Sequence, residues 1–255
     1  MNLFDLSGRI ALVTGSSRGI GYALARGLAE AGATFVLNGV SGERLTQARE
    51  RLREQFGETR VHAYAFDVTD PERVTDAVER IESGVGPIEI LVNNAALQHR
   101  QPLLDVTLED WNRVLTTDLT SAFLVGRAVA RCQIARGSGK IINVCSVQSD
   151  LARPTIAPYT AAKGGLRNLT RAMTAEWAAS GLQINGLAPG YIHTEMTQAL
   201  VDDPEFDAWL RGRAPAGRWG TPDDLVGPAV WLASDGSRYV NGQVIFIDGG
   251  MTSVV

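Results

Sequence analysis

Short apolar runs recur along the chain, each followed by a longer stretch whose apolar positions fall at helical spacing. Residues 9–13, 34–37, 61–66, 88–92, 140–144, 183–187 and 244–247 read as strands. They are rich in Ile, Val, Leu and Phe without polar alternation, as strands covered on both faces should be. Residues 19–31, 44–56, 71–83, 107–135 and 158–180 read as helices. Asp70-Pro71-Glu72 and Thr221-Pro222-Asp223-Asp224 make good helix openings, with a capping side chain, proline in the first turn and acids at the positive end. Alternating strand and helix implies an α/β fold, a doubly wound, parallel, seven-stranded sheet with helices on both faces. Nothing resembling a linker or repeat divides it, so residues 1–255 are expected to form one domain. Residues 190–215 break the rhythm with acids, aromatics and threonine, and are expected to form a lid over the site.

Composition narrows the functional classes. With 255 residues and 45% hydrophobic content the chain can bury one substantial core. A net charge of −4 and no run of basic residues interleaved with aromatics argue against nucleic acid or an anionic membrane as a partner. No apolar stretch approaches the ~18 residues that span a bilayer, and the start carries no targeting pattern. Two cysteines, Cys132 and Cys145, suit a reducing compartment, and a cytoplasmic setting is expected. Cys145 closes an apolar run and reads as a buried thiol. His62, His99 and His193 share no ligand spacing, so no metal is expected.

The first strand runs into Thr14-Gly15-Ser16-Ser17-Arg18-Gly19-Ile20-Gly21, and a helix follows. Glycines let the backbone turn tightly and approach a pyrophosphate, whose charge is favoured at a helix N-terminus. In this position the turn predicts a Rossmann-type dinucleotide site, with Gly15, Ser17, Arg18, Gly19, Ile20 and Gly21 as contacts. The second strand leads to Asn38 and Ser41 with no acid before Glu43, whereas an NAD site presents a carboxylate there. Arg18 inside the turn would meet a 2′-phosphate. Both features favour NADP(H), with NAD(H) as the alternative.

Tyr159 and Lys163 stand four apart, on one face of a helix, after the strand-like run ending at Ser146. A free phenol titrates near 10, and bringing it near neutrality takes roughly 4 kcal/mol. A cation about 4 Å away at an effective dielectric of 20 supplies that much. The pair is therefore expected to make a proton relay that works near pH 7.

With these pieces in order the chain resembles the short-chain dehydrogenase/reductase family over essentially its whole length. The glycine turn, Asp67-Val68, Asn93-Asn94-Ala95-Ala96, Ser146, Tyr159 with Lys163, Pro189-Gly190 and Asp248-Gly249-Gly250 carry the resemblance. It implies that Tyr159 is the general acid/base, that Ser146 holds the reacting oxygen, and that Lys163 tunes the phenol and binds the ribose. It further implies that Asp67 and Val68 bracket the adenine, that Asn93, Ala95, Pro189 and Gly190 line the cofactor cleft, and that Ile192 and Thr194 meet the carboxamide. Two positions depart from the family pattern: Ala96 replaces a glycine, and Asp118 replaces the asparagine whose main-chain carbonyl holds a relay water. Asp118 keeps that carbonyl but brings a carboxylate near Lys163. The resemblance also implies a homotetramer packed through the long helices.

The segments 142–154, 188–191, 194–197, 215–220 and 244–251 are similar to a branch of this family that interconverts D-gluconate and 5-keto-D-gluconate. A sugar acid needs a fixed cation and polar partners. Arg100 is expected to take the carboxylate, with Gln148 and Asp150 beside Ser146 and Tyr159 for hydroxyls; Arg153 and Arg213 are alternative cations that read better as surface charges. Reduction of another carbonyl (a ketose, a polyol product or a 3-oxoacyl thioester) is the rival activity, and a non-catalytic dinucleotide sensor the rival class.

Overall fold

In the computed structural model, which describes residues 3–255, the strand–helix alternation closes into one sheet. Among the described residues its strands are β1 (Ile10–Val13), β2 (Thr34–Gly39), β3 (Val61–Ala65), β4 (Ile88–Asn93), β5 (Gly139–Val144), β6 (Leu182–Pro189) and β7 (Val244–Ile247). They lie in the order β3-β2-β1-β4-β5-β6-β7, every neighbouring pair parallel. Every residue of β1 and β5 is buried, Lys140 and Asn143 of β5 included, so both strands are covered on either face.

The helices are α1 (Gly19–Glu30), α2 (Gly42–Phe56), α3 (Pro71–Gly84), α4 (Leu108–Leu115), α5 (Ser121–Arg136), α6 (Ala157–Trp177), α7 (Gln198–Val201), α8 (Pro204–Arg213) and α9 (Val226–Ala233). Leu24, Leu28, Leu45, Leu52 and Leu232 from α1, α2 and α9 pack with Phe35 and Leu37 on one face of the sheet. Val74, Ile81, Val125, Val129 and Met173 from α3, α5 and α6 pack with Leu12, Val36 and Leu91 on the other. Asp70 opens α3 as its sequence announces, its carboxylate accepting from the Glu72 and Arg73 amides at 3.0 and 3.1 Å. Thr221 and Asp224 form a capping box, but it starts a short 3₁₀ turn, Pro222–Leu225, that leads into α9.

The reading of residues 107–135 as one helix needs correction. A π-helical turn, Thr116–Thr120, separates α4 from α5. The wider turn re-aims side chains relative to an unbroken α-helix, and Asp118 within it is 1% exposed. Likewise α6 gives way at Trp177 to a 3₁₀ turn, Ala178–Ser180. The segment 190–215, expected as a lid, carries α7 and α8. No helix of the described residues is long and apolar enough to cross a membrane.

Strand order reverses between β1 and β4, which opens a crevice at the carboxyl ends of the strands. Both lysines of the chain are buried, at opposite ends of β5's neighbourhood. Lys140 starts β5 and reaches Ser237 at 3.3 Å, while Lys163 of α6 donates to the Val144 carbonyl at β5's end, 2.9 Å away. Burial brings Lys140 down to about 8.

Candidate active site

A cavity of about 640 Å³ fills the crevice, running from the glycine turn past Ser146 and Tyr159 to Arg100 and residues 194–197. At one end the walls are backbone. Gly15 has φ 61°, and a Cβ there would lie 2.8 Å from the Ala95 Cα. A Cβ on Gly21 would lie 2.5 Å from the Gly15 carbonyl oxygen. Both positions therefore exclude any side chain, and the turn stays open to a ligand. Asn94 donates to the carbonyls of Thr14 and Gly15 at 2.9 and 3.0 Å, while Thr14 Oγ1 accepts from the Asn94 and Ala95 amides. This bracing by Thr14 and Asn94 was not singled out from sequence, although Asn94 stands inside the quoted Asn-Asn-Ala-Ala.

Asn38 lines this end but its side chain is committed to the protein. It accepts from the Gly15 amide at 3.2 Å and donates to the Phe66 carbonyl at 3.0 Å, tying β2 to the turn and to β3. Gly39, Val40, Asp67, Val68 and Thr69 complete the wall, with no acid from the end of β2 among the described lining residues. Asp67 is held by Thr69, whose amide and hydroxyl both donate to Oδ1. Two expected cofactor contacts lie outside the lining. Ser41 caps α2, accepting from the Arg44 amide. Asn93 turns into the core, donating to Asn143 at 2.9 Å, and Asn143 in turn donates to Thr170. Both serve the frame: Ser41 is spent on the start of α2, and the Asn93 amide nitrogen on β5, although Asn93 Oδ1 is buried without a partner. Ser17, Arg18, Gly19, Ile20, Ala95, Pro189, Gly190, Ile192 and Thr194 all line the cavity. Gly190 passes within van der Waals reach of Asp248, where a Cβ would sit 2.7 Å from its Cα, so the Asp248-Gly249-Gly250 segment buttresses the end of β6. Arg18 crosses the cleft to form an ion pair with Glu195.

At the middle of the cavity α6 and β5 bring three side chains together. Ser146 follows β5 and is 7% exposed; its hydroxyl accepts from the Gln148 amide at 3.2 Å and lines the cavity together with Tyr159. The Lys163 ammonium lies 5.5 Å from the Tyr159 ring centroid, one turn along α6. Its other neighbour is Asp118, whose Oδ2 lies 3.9 Å away. Asp118 Oδ1 accepts from the Leu97 amide at 2.8 Å, but Oδ2 has no hydrogen-bond partner and is buried. Burial pushes the Asp118 carboxyl up to about 6, against the pull of Lys163 and the Leu97 amide.

The expectation of an acidified phenol is corrected for the protein without a ligand. Desolvation dominates and raises Tyr159 above its ordinary value, even though the ring retains some exposed surface. Lys163 and Ser146 pull downward, while Asp118 adds to the rise. The arithmetic from one cation omitted both burial and the carboxylate behind it. Cys145 is a buried thiol, pushed up to about 11 by desolvation.

At the far end Arg100, Gln148, Arg153, Tyr191 and Met196 line the cavity. Arg153, read from sequence as a surface charge, belongs to the wall. Asp150 does not: it forms an ion pair with Arg167 and lies outside the lining, because the 3₁₀ turn Val147–Ser149 carries it off the cleft. Arg213 is also outside, bound to the Val254 carbonyl. Tyr191, Phe206, Trp209 and Trp219 form an aromatic cluster behind this end. The aromatics noted in residues 190–215 include three of its members, but their clustering with Trp219 was not legible in sequence. No group of three or more potential metal ligands occurs among the described residues.

A glycine cradle at a topological switch point, joined in one cavity to a Ser–Tyr–Lys cluster, is the architecture of nicotinamide-dependent oxidoreductases, and this chain belongs to the short-chain dehydrogenase/reductase family. The family model that matches residues 15–252 is described as enoyl-(acyl carrier protein) reductase. Among individual relatives, the chain is similar to gluconate 5-dehydrogenase of Gluconobacter oxydans, 54% identical over 98% of this chain and 97% of that protein. It is 47% identical to 5-keto-D-gluconate 5-reductase of Escherichia coli, over 100% of this chain and 99% of the other. A crystal structure of a gluconate 5-dehydrogenase from Burkholderia cenocepacia in complex with NADP and tartrate superposes with a TM-score of 0.96, at 53% identity, covering 100% of this chain and 99% of that one.

Proposed function

We propose that this chain is an NADP-dependent oxidoreductase that interconverts D-gluconate and 5-keto-D-gluconate. The observation that carries the reading is that one cavity joins a dinucleotide cradle, a Ser146–Tyr159–Lys163 cluster and a cationic far end. The two sugar-acid relatives above support the substrate, and the NADP complex of the Burkholderia relative supports the cofactor. Arg18 in the turn and the missing acid at the end of β2 point the same way.

Gly15, Ser17, Gly19 and Gly21 would hold the pyrophosphate, Arg18 the 2′-phosphate and Lys163 the ribose. Bound NADP(H) supplies or accepts the hydride. Tyr159 gives the proton to the oxygen that becomes the alcohol, and takes it back in the reverse direction. Ser146 donates a hydrogen bond to the same oxygen and fixes it against the phenol. A phenol held neutral by burial is the form that gives its proton in ketone reduction. The Lys163 ammonium beside the phenol stabilises the phenolate left after transfer. Asp118 acts behind Lys163, touching neither phenol nor substrate. Arg100 takes the sugar-acid carboxylate and Gln148 a hydroxyl. Residues 190–215 close over the substrate as a lid within a single catalytic domain. The free thiols Cys132 and Cys145 fit a cytoplasmic setting, and exposed Leu104, Leu108 and Phe123 near α4 and α5 supply apolar surface for a homotetramer.

Initial rates with 5-keto-D-gluconate, sorbose and an acetoacetyl thioester, each with NADPH and NADH, test the reading. The expected result is a kcat/KM for 5-keto-D-gluconate with NADPH at least about tenfold above every other pair, a gap of ~1.4 kcal/mol. A preference for the thioester, or for NADH, would overturn it.

A further inference from the structure

Arg100 and Arg153 share the far end of the cleft without an acid between them, while a further lining guanidinium, Arg113, is paired with Asp110. Among the described residues that line the cavity, the acids are Asp67, at the opposite end, and Glu195, which is occupied by Arg18. Asp150 is held by Arg167. Burial and the like charge of Arg153 both push Arg100 below its usual value, and Tyr191 sits close enough to influence both arginines and Tyr159. Like charges do not gather in a partly desolvated site unless the frame holds them there.

The frame does so. The Gln101 amide donates to the Thr155 carbonyl at 2.8 Å, locking the segment that bears Arg100 to the one that bears Arg153. Thr155 has φ 72°, a left-handed backbone that a β-branched residue rarely adopts. The Arg153 guanidinium lies 5.5 Å from the centroid of Phe206, on α8. Phe206 is fixed by Tyr191, Trp209 and Trp219 at centroid distances of 5.4, 5.1 and 6.1 Å. Arg100 reaches the same segment through the Met196 carbonyl, 3.3 Å away.

We propose that Arg153, stacked on Phe206 and locked beside Arg100 through Gln101 and Thr155, is the specificity-determining residue that selects substrates bearing a carboxylate. The unneutralised pair makes a two-armed receptor for one anionic group, with Arg100 carried on the β4 side and Arg153 on the α6 side. The aromatic face holds the Arg153 guanidinium over the Phe206 ring without cancelling its charge. Seating the carboxylate between the arms relieves their repulsion and ties the substrate to the segment carrying α8. The inference deepens the sugar-acid reading and rests on it for the identity of the substrate. Its physical content is narrower: this end of the cavity discriminates by charge.

The test is binding of tartrate and of erythritol, a neutral analogue of similar size, to the enzyme–NADP complex. Trp209 and Trp219 fluorescence supplies the readout, and turnover of 5-keto-D-gluconate and sorbose is measured in parallel. Arg153→Ala should weaken tartrate roughly 10- to 100-fold, the loss expected for a charge-assisted contact, while leaving erythritol and NADP binding unchanged. Arg153→Lys should recover part of the loss, and Phe206→Leu should show an intermediate one. KM for 5-keto-D-gluconate should rise in step, with kcat within about threefold, as for lost uniform binding. Equal effects on tartrate and erythritol, or no effect of any of the three variants on tartrate, overturn the proposal. Charge-selective binding without gluconate turnover in the unaltered enzyme would instead sink the sugar-acid reading and keep the receptor.

Discussion

At the glycine-turn end of the cleft the walls are backbone braced by buried amides, whereas at the Arg100–Arg153 end they are long side chains stacked on a distant segment. Gly15 and Gly21 leave no room for a side chain, and Asn38 and Asn94 spend their amides holding that shape. The opposite end depends on Phe206 and Tyr191 reaching in from beyond β6. A cofactor common to many reactions suits a rigid mould, and a substrate that differs from one enzyme to the next suits replaceable side chains on a scaffold. Ser146, Tyr159 and Lys163 stand where the two constructions meet.

Three substitutions probe that division. The largest effect is expected at the junction, where Tyr159→Phe should lower kcat by about 10²–10⁴ while cofactor binding is retained. Near-normal turnover in that variant would remove the phenol from the chemistry. On the cofactor side, Gly21→Val must displace backbone near the Gly15 carbonyl. NADPH affinity should fall at least about tenfold, read by cofactor fluorescence. Tartrate binding measured at saturating NADP should hardly move; a matching loss would show that the two ends are one unit. The smallest effect on turnover is expected from Asp118→Asn, which should keep kcat within about tenfold because the main-chain carbonyl survives.

The same substitution has a stability signature. Asp118 is shifted from 3.8 up to about 6, so between those values the folded protein holds a proton that the unfolded chain has released. Stability of the unaltered protein therefore falls as pH rises through that window and is level above it. Asparagine, always neutral, escapes the loss. Melting curves should show Asp118→Asn gaining relative stability from about pH 4 to about pH 6, by an amount on the order of 3 kcal/mol, and no further above. An advantage independent of pH would mean that the carboxylate is compensated by partners other than Lys163.

Much of this molecule can be read from its residues because local rules and the global fold agree. Short apolar-rich runs gave all seven strands within a residue or two, most clearly the central ones, whose burial on both faces leaves no polar face to confuse the pattern. The glycine turn and the Tyr159–Lys163 spacing were legible for the same reason: each is a short-range constraint. What stayed hidden is long-range. The π turn at Thr116–Thr120 has no residue signature, so the inward aim of Asp118 and the resulting rise of Tyr159 were invisible. Arg153 looked like Arg213 in sequence, and only the packing of Phe206 and the Gln101–Thr155 tie separates them. Asp150 was misplaced because proximity to Ser146 in the chain says nothing about which way a 3₁₀ turn points it.

The chain has twenty-two arginines but only Lys140 and Lys163 as lysines, and both are buried. The outward cations of the described residues are thus guanidinium groups, inert to reagents that acylate primary amines. Of the two ammonium groups, one lies against Ser237 at the foot of the sheet and the other beside the phenol in the cleft. Acylation of lysine side chains in the folded protein is therefore directed away from the surface and toward the interior, with Lys163 approached through the cleft.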